Sequence, residues 1–259
     1  MITSSHNPKI QSVRDLLARR KERDERAQFV VEGVRLAEEA YQAGWLPAWV
    51  LTGEPLSERG RSLAASFARL GIEVEEVSTS LMETLGDTQT SPGLLAVLPA
   101  RELPLPEKLD FVLVADALRD PGNLGTLLRT AAAAAVQAVF LAPGTVDAFS
   151  PKVLRGGMGA QFRLPVRNYT WEQIQSTCRQ PSAPLTLFLA EAGQGQPLWQ
   201  TDLRSPLALV VGGEAEGASP AGLAAAEAFI SVPMPGKSES LNAAIAASII
   251  LFEVVRQRS

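Results

Sequence analysis

Continuous apolar runs that alternate with helical segments restrict the fold of the second half of this 259-residue chain more than any other feature. Phe111–Ala115 is an unbroken apolar run that is followed at once by Asp116, as is typical of a strand buried on both faces. The pattern continues with predicted strands at 138–142, 185–190 and 207–211 and predicted helices at 124–136 and 243–256. Alternation of this kind predicts an α/β fold with a largely parallel sheet covered by helices.

A proline-rich segment divides the chain into two parts. Residues 99–107 contain three prolines, which remove backbone donors and disfavour helix, so this segment indicates a stiff linker. Before it, strand-like runs (29–31, 49–51, 72–74 and 94–98) alternate with helical ones (34–43, 59–70 and 79–85). We therefore predict a small α/β domain at 1–98, a linker at 99–107 and a larger domain at 108–259.

The composition excludes several classes of site. The single cysteine, Cys178, cannot form an internal disulfide, and with the single histidine, His6, it offers too few ligands for a zinc site, so we expect no structural metal. The same scarcity argues against a Ser-His-Asp or Cys-His arrangement. Neither an apolar run long enough to span a membrane nor a secretory signal is found, and we expect a cytoplasmic protein without a membrane partner.

The charge is unevenly distributed. The net charge of -4 at first argues against a nucleic-acid partner. Residues 1–26, however, hold seven basic and four acidic side chains, residues 108–259 hold 12 of each, and the acidic excess lies in residues 27–107. The basic start predicts either a solvated helix face or a surface for phosphate groups.

Ligands of open parallel sheets bind beyond the carboxyl ends of the strands, so the loops that follow the predicted strands are the candidate sites. In the first of them, 116–130, Asn123 is a predicted N-cap and Arg129 lies further along the helix that follows. A capped helix start with a nearby arginine suits a phosphate group, and it equally suits an ordinary strand-to-helix turn.

Two later loops have the same position relative to their strands. In 210–220, the adjacent glycines Gly212 and Gly213 would let the backbone approach a ligand closely. The loop 230–242 is interrupted by prolines and a glycine, which is common in binding loops. It ends in two polar side chains that are either caps or ligand contacts, Ser240 and Asn242.

Taken together, the three loops resemble the signature motifs of the SpoU family of RNA ribose 2′-O-methyltransferases, which belongs to the SPOUT superfamily. The matching residues are Asp120-Pro121-Gly122-Asn123-Leu124-Gly125 with Arg129-Thr130-Ala131, then Gly212, Glu214 and Gly217, then Val232-Pro233-Met234, Gly236 and Ser240-Leu241-Asn242. The stretch 150–165 is similar to the one between the first two motifs of that family. Through residues 2–8 and 26–33, the first domain resembles an RNA-binding domain of the type seen in ribosomal protein L30e.

The resemblance implies a trefoil knot in the C-terminal domain, a bound S-adenosylmethionine and a homodimer whose site is completed near its interface. It assigns the cofactor contacts to Gly212, Val232, Met234, Leu241 and Asn242. It assigns catalysis to Asn123 and Arg129, supported by Glu214, Ser240 and Asn242.

The role of Arg129 follows from the resemblance and from the chemistry of arginine. The resemblance casts Arg129 as a general base, but arginine normally stays protonated in proteins. Our hypothesis is that Arg129 binds the 3′-phosphate and stabilises the developing alkoxide, while the proton of the hydroxyl leaves to Arg129 or to solvent.

The predicted substrate is RNA, with 23S ribosomal RNA as the leading choice and transfer RNA as the alternative. The predicted RNA contacts in the first domain are Asn7, Arg19, Arg20, Lys21 and Arg26. A non-catalytic RNA-binding protein on the same fold is a second reading. A dinucleotide-dependent enzyme ranks last, because no Gly-x-Gly-x-x-Gly turn follows the first strand of the larger domain.

Overall fold

The computed structural model describes residues 1–86, 91–180, 183–213, 217–236 and 239–259. Its helices are α1 (Pro8–Ala18), α2 (Arg20–Arg26), α3 (Val34–Gln42), α4 (Glu58–Arg69), α5 (Thr79–Met82), α6 (Pro121–Ala133), α7 (Pro151–Gly157), α8 (Trp171–Cys178), α9 (Pro220–Ala225) and α10 (Ala243–Arg258). Its strands are β1 (Gln28–Glu32), β2 (Trp49–Thr52), β3 (Glu73–Glu76), β4 (Leu94–Pro99), β5 (Phe111–Asp116), β6 (Ala138–Leu141), β7 (Val166–Asn168), β8 (Thr186–Ala190), β9 (Gln196–Pro197), β10 (Leu207–Gly212) and β11 (Ala228–Ser231).

The chain forms two compact units. The first unit comprises Met1–Arg101 and Phe149–Phe162, and the second comprises Glu102–Ala148 and Arg163–Ser259. The predicted linker, 99–107, spans the division at Arg101. Residues 149–162, which the sequence prediction placed in the larger domain, belong instead to the first unit.

The first unit is built on a four-stranded sheet in the order β1-β4-β2-β3. Strand β4 is antiparallel to both of its neighbours, and β2 pairs with β3 in parallel. Helix α1 packs its apolar face against this sheet, with Ile10, Val13 and Leu16 buried in one cluster with Val30 and Leu51.

Aromatic packing explains why residues 149–162 belong to the first unit. The ring of Phe149 lies 4.7 Å from that of Phe29, and the ring of Phe162 lies 5.5 Å from that of Trp45. The indole Nε1 of Trp45 donates to the Phe162 carbonyl at 3.0 Å. Because aromatic side chains bury large areas, this cluster ties the segment to the first sheet.

The second unit is a seven-stranded sheet in the order β7-β6-β5-β10-β8-β11-β9, and each pair of neighbouring strands is parallel. The inner strands are almost continuously apolar and buried, as the runs in the sequence predict. The chain leaves β5 toward β6 on one side and later returns to pair β10 on its other side. In sheets whose strand order reverses in this way, ligands bind beyond the carboxyl ends of the strands. In the described ranges, no helix is both long and apolar enough to cross a membrane.

Candidate functional site

A cavity of about 660 Å³ lies in the second unit, at the carboxyl ends of β8, β10 and β11. The loops after β10 and β11 and the start of α10 form most of its wall. The lining residues are Ala190, Glu191, Ala192, Val211, Gly212, Gly213, Gly217, Ala218, Ile230, Val232, Met234, Ser240, Leu241, Asn242, Ala243, Ala246 and Ile250. All five residues predicted to contact the cofactor are in this wall.

In the loop after β10, two described glycines pair with each other as an antiparallel bridge. Gly213 and Gly217 exchange two backbone hydrogen bonds, at 3.0 and 3.2 Å. A Cβ atom at Gly213 would lie 2.7 Å from the Ala117 carbonyl oxygen, and one at Gly212 would overlap the backbone of Ala218. Glycine is therefore required here for close backbone packing beside the cavity. Glu214, predicted to support catalysis, lies outside the described residues.

Asn242, which precedes α10, lies in the cavity wall. The side-chain oxygen of Asn242 accepts from the backbone N–H groups of Ala244 at 3.0 Å and Ile245 at 3.2 Å, so Asn242 is the N-cap of α10. Its Nδ2 donates to Asn123 Oδ1 at 2.8 Å. Ser240 and Leu241, which precede it, are exposed in the same wall. One hydrogen bond thus joins the third sequence motif to the first.

The start of α6 differs from its prediction in the residue that caps the helix. Asp120 is the N-cap, because its Oδ1 accepts from the Asn123 N–H at 2.7 Å and Pro121 fills the first helical position, where no backbone donor is needed. The prediction that Asn123 caps this helix is therefore wrong. As the third residue of α6, Asn123 can direct its side chain to Asn242 instead.

Arg129 lies on the exposed side of α6, between the buried Leu128 and the half-buried Thr130. Among the described residues it is not part of the cavity wall and makes no hydrogen bond or ion pair. The structure thus brings Asn123 and Asn242 together but leaves the guanidinium of Arg129 without a protein partner among the described residues.

Sequence reasoning missed Glu191 as a cavity residue. It directly follows β8, and its carboxylate is in the wall of the cavity. The rule used for the other loops would have found it, because the apolar run 185–190 ends at this glutamate.

The predicted RNA contacts in the first unit are largely engaged with neighbouring side chains. Asn7 caps α1 through its side-chain oxygen, which accepts from the Lys9 N–H at 2.9 Å. The four basic residues pair with acidic ones: Arg19 with Asp15 at 3.8 Å, Arg20 with Asp24 at 3.4 Å, Lys21 with Glu25 at 3.6 Å, and Arg26 with Glu22 at 2.8 Å and Asp15 at 3.4 Å. Exposed pairs of this kind contribute little free energy, so phosphate groups can replace the carboxylates.

Other chemistries find little support in the described part of the chain. Burial raises the pKa of the Cys178 thiol to about 12, which removes the thiolate at neutral pH. No group of three or more His, Cys, Asp or Glu side chains in that part is arranged to hold a metal ion.

Two family models match the chain and together cover most of it. Residues 110–252 match the SpoU rRNA methylase family, and residues 7–96 match an MRM3-like substrate-binding domain. The first match contains all three motif loops.

Individual relatives match over nearly the whole length. The 23S rRNA (guanosine(2553)-2′-O)-methyltransferase of Bacillus subtilis is 31% identical, with 98% of both chains covered. The 23S rRNA (uridine(2479)-2′-O)-methyltransferase of Streptomyces viridochromogenes is 29% identical over 98% of this chain and 92% of its own. The crystal structure of a SpoU methyltransferase from Streptomyces viridochromogenes with its cofactor AdoMet aligns with a TM-score of 0.87, 29% identity and 98% coverage of both chains.

Proposed function

The chain belongs to the SpoU rRNA methylase family, and we propose that it transfers a methyl group from S-adenosylmethionine to one ribose 2′-hydroxyl of 23S ribosomal RNA. One observation carries the proposal: the second and third motif loops line a single cavity at the carboxyl ends of the strands, and Asn242 in its wall donates a hydrogen bond to Asn123 of the first loop. An α/β enzyme binds its ligand at such a place.

The cavity fits S-adenosylmethionine by size and by chemistry. Its volume of about 660 Å³ is in the range of small-molecule sites. Apolar side chains, among them Val232, Leu241 and Ile250, offer packing for an adenine ring, while Gly212, Gly213 and Gly217 let a ligand approach the backbone closely. Glu191 adds a carboxylate suited to a cationic ligand. We assign the cofactor contacts to Gly212, Val232, Met234, Leu241 and Asn242.

The catalytic task of the protein is to position the hydroxyl and to stabilise charge. The bound cofactor would supply an activated methyl group on a sulfonium. In this proposal Asn123 and Asn242, joined by their 2.8 Å hydrogen bond, orient the ribose, with Ser240 and Glu214 in support. Arg129 binds the phosphate and stabilises the alkoxide that develops as the hydroxyl loses its proton.

A homodimer would complete this site. On α10, Ile245 and Phe252 are 52% and 49% exposed, and with the half-buried Ile249 between them they lie on one helical face. An exposed apolar stripe of this kind marks an interface. The stripe adjoins α6, because Ser248 Oγ lies 3.1 Å from Thr130 Oγ1, next to Arg129. A second copy on this face would therefore lie beside the exposed guanidinium.

The first unit is proposed to select the RNA. Its match to an MRM3-like substrate-binding domain and its exposed basic residues at Arg19 and on α2 support this role. The relatives named above modify different nucleotides, a guanosine and a uridine, so we extend only the shared 23S rRNA class to this chain. The trefoil knot and the cytoplasmic location stay predictions.

The test is to incubate the purified protein with S-adenosylmethionine and 23S rRNA that lacks ribose methylation, and to map 2′-O-methyl groups by mass spectrometry. We expect one methylated nucleotide, and none when unmodified transfer RNA replaces the ribosomal RNA. Methylation of the transfer RNA alone would favour the alternative substrate. If the protein bound RNA but not S-adenosylmethionine, it would be a non-catalytic binding protein on this fold.

A further inference from the structure

Asp116 is a fully buried carboxylate whose role the proposed mechanism does not explain. It is the last residue of β5 and lies opposite Gly212 in the β5–β10 ladder. Its Oδ1 accepts from the Trp171 indole N–H at 3.3 Å, and its Oδ2 accepts from the Ser219 backbone N–H at 2.7 Å. Both donors are neutral, and no ion pair to Asp116 is found among the residues that the structure describes. A buried carboxylate without a cationic partner costs folding free energy, which is typical of a functional position.

The hydrogen bond to Ser219 fixes the residue that directly follows Gly217 and Ala218 in the cavity wall. Gly213, Gly217 and Ala218 line the cavity, and Ser219 is the next residue. Ser219 is also the N-cap of α9, because its Oγ accepts from the Gly222 N–H at 3.1 Å. Asp116 thus holds the point at which the cavity-lining residues Gly217 and Ala218 lead into α9.

The space that the Asp116 carboxylate occupies depends on the absence of a side chain at Gly222. A Cβ atom at Gly222 would overlap Asp116 Oδ2 and lie 3.0 Å from the Trp171 ring. Gly222 is buried in α9, where alanine would normally favour the helix more than glycine does. The glycine therefore provides the space in which the carboxylate meets the Ser219 N–H.

We infer that Asp116 is a positioning residue that holds the cavity-lining residues Gly217 and Ala218 in the place where they contact the cofactor. It does not line the cavity itself and acts through the backbone of Ser219. The inference rests on the proposed function, because it takes S-adenosylmethionine as the ligand of the cavity.

The experiment compares Asp116→Asn with Trp171→Phe. Whichever way the asparagine amide is oriented, its NH₂ group faces one of the two N–H donors, so the variant cannot satisfy both. Trp171→Phe removes only the indole donor and leaves the bond to Ser219. Calorimetry measures the Kd for S-adenosylmethionine and S-adenosylhomocysteine, thermal unfolding gives Tm, and methylation assays separate KM from kcat.

We expect Asp116→Asn to raise the Kd of both ligands at least tenfold, while kcat at saturating cofactor stays within about twofold. Trp171→Phe should lower Tm about as much as Asp116→Asn does. It should leave the Kd of both ligands within about threefold of the wild-type value. Wild-type affinity in Asp116→Asn, or equal loss of affinity in both variants, would overturn the inference in favour of a structural role.

A second variant keeps the inference testable if Asp116→Asn does not fold. Gly222→Ala should weaken S-adenosylmethionine binding by displacing the carboxylate, whereas Leu223→Ala, at an exposed position of the same helix, should not. Unchanged affinity in Gly222→Ala would contradict the inference. Failure of the wild-type protein to bind S-adenosylmethionine is a separate result, and it would contradict the proposed function itself.

Discussion

Asn242 has two tasks that a single substitution can separate. Its side-chain oxygen caps α10, and its NH₂ group donates to Asn123. Serine is an equally good N-cap but is too short to reach Asn123. We therefore expect Asn242→Ser to keep the stability of the protein within about 0.5 kcal/mol and to reduce methyl transfer at least tenfold.

The control for this prediction is Asn242→Ala, which also removes the cap. Loss of an N-cap typically costs about 1 kcal/mol, so this variant should lose both stability and transfer. Denaturant unfolding and a methylation assay measure the two effects. Full activity in Asn242→Ser would show that the hydrogen bond to Asn123 has no part in the reaction.

Arg129 is expected to act on the reaction and not on the cofactor. Because its guanidinium is exposed and lies outside the cavity wall, Arg129→Ala and Arg129→Lys should leave the Kd for S-adenosylmethionine nearly unchanged. Both should abolish methyl transfer, since lysine lacks the planar fork that binds a phosphate in two places. If Arg129→Ala still transferred methyl groups, Arg129 would have no part in the mechanism.

The predicted cofactor residues that line the cavity could be found from the sequence because they lie in or at the end of the loops after β10 and β11, but the contacts between motifs could not. Asp120 and Asn123 are both good caps, and only Pro121, which prefers the first helical position, could have indicated Asp120. The hydrogen bond between Asn123 and Asn242 joins positions far apart in the sequence, so no local pattern reports it. The hydrogen bonds of Asp116 could not be predicted from the sequence either, because the two N–H groups that donate to it come from α8 and from the start of α9.

At the scale of elements, predictions succeeded where a continuous apolar run marks a strand and failed at elements that lack such a run. The buried strands β5, β8 and β10 match their apolar runs to within one residue. Helix α8 was missed, although Thr170 and Gln173 form a capping box at its start. Strand β9 has only two residues, and its pairing with β11 sets it more than its own sequence does. The basic segment 14–26 is divided at Arg19 between α1 and α2.

The two N-terminal helices carry a prediction about RNA affinity. Replacing Arg19, Arg20 and Lys21 with glutamate should weaken RNA binding and flatten its salt dependence, because each lost phosphate contact reduces the slope by about one. The opposite change, Asp24→Asn with Glu25→Gln, removes the carboxylates that pair with Arg20 and Lys21. It should strengthen the binding of RNA. Filter binding of 23S rRNA at several salt concentrations measures both effects. If the salt dependence of RNA binding were unchanged in the triple variant, these residues would form only a solvated helix face and would not contact RNA.

The last turns of α10 predict a pH dependence of stability. Hydrogen bonds from Arg256 and Gln257 lower the pKa of Glu253 from 4.5 to about 2. An acid with a lowered pKa stabilises the fold above its unfolded pKa and loses this effect as the pH falls toward its folded pKa. Glu253→Gln should therefore lower the urea midpoint at pH 7 more than at pH 2.5. An equal loss at both pH values would contradict the prediction.

At the scale of the whole molecule, net charge was a poor guide to the partner. The chain carries a net charge of -4, yet it belongs to a family of rRNA methylases. The acidic excess lies in residues 27–107, and the helices at the start carry the basic side chains. The segment 149–162 was also assigned to the wrong unit, because its packing depends on Phe29 and Trp45, which lie more than a hundred residues earlier.

The apolar face of α10 predicts that the functional molecule is a homodimer. In an isologous interface each copy contributes the same face, so Phe252→Glu would place a buried charge on both copies. Burial of unpaired charge is costly, and we expect this variant to sediment as a monomer. Trp199→Glu is the matched control, since Trp199 is 58% exposed in the same unit but lies outside α10, and it should leave the dimer intact.

Methyl transfer should follow the oligomeric state. If a second copy completes the site beside Arg129, the Phe252→Glu monomer should retain its thermal unfolding transition but lose most of its transfer activity, because the phosphate and the ribose would no longer be held together. Analytical ultracentrifugation and a methylation assay on the same samples measure the two quantities. A fully active monomer would separate catalysis from dimerisation, and a Phe252→Glu dimer would place the interface on another face of the molecule.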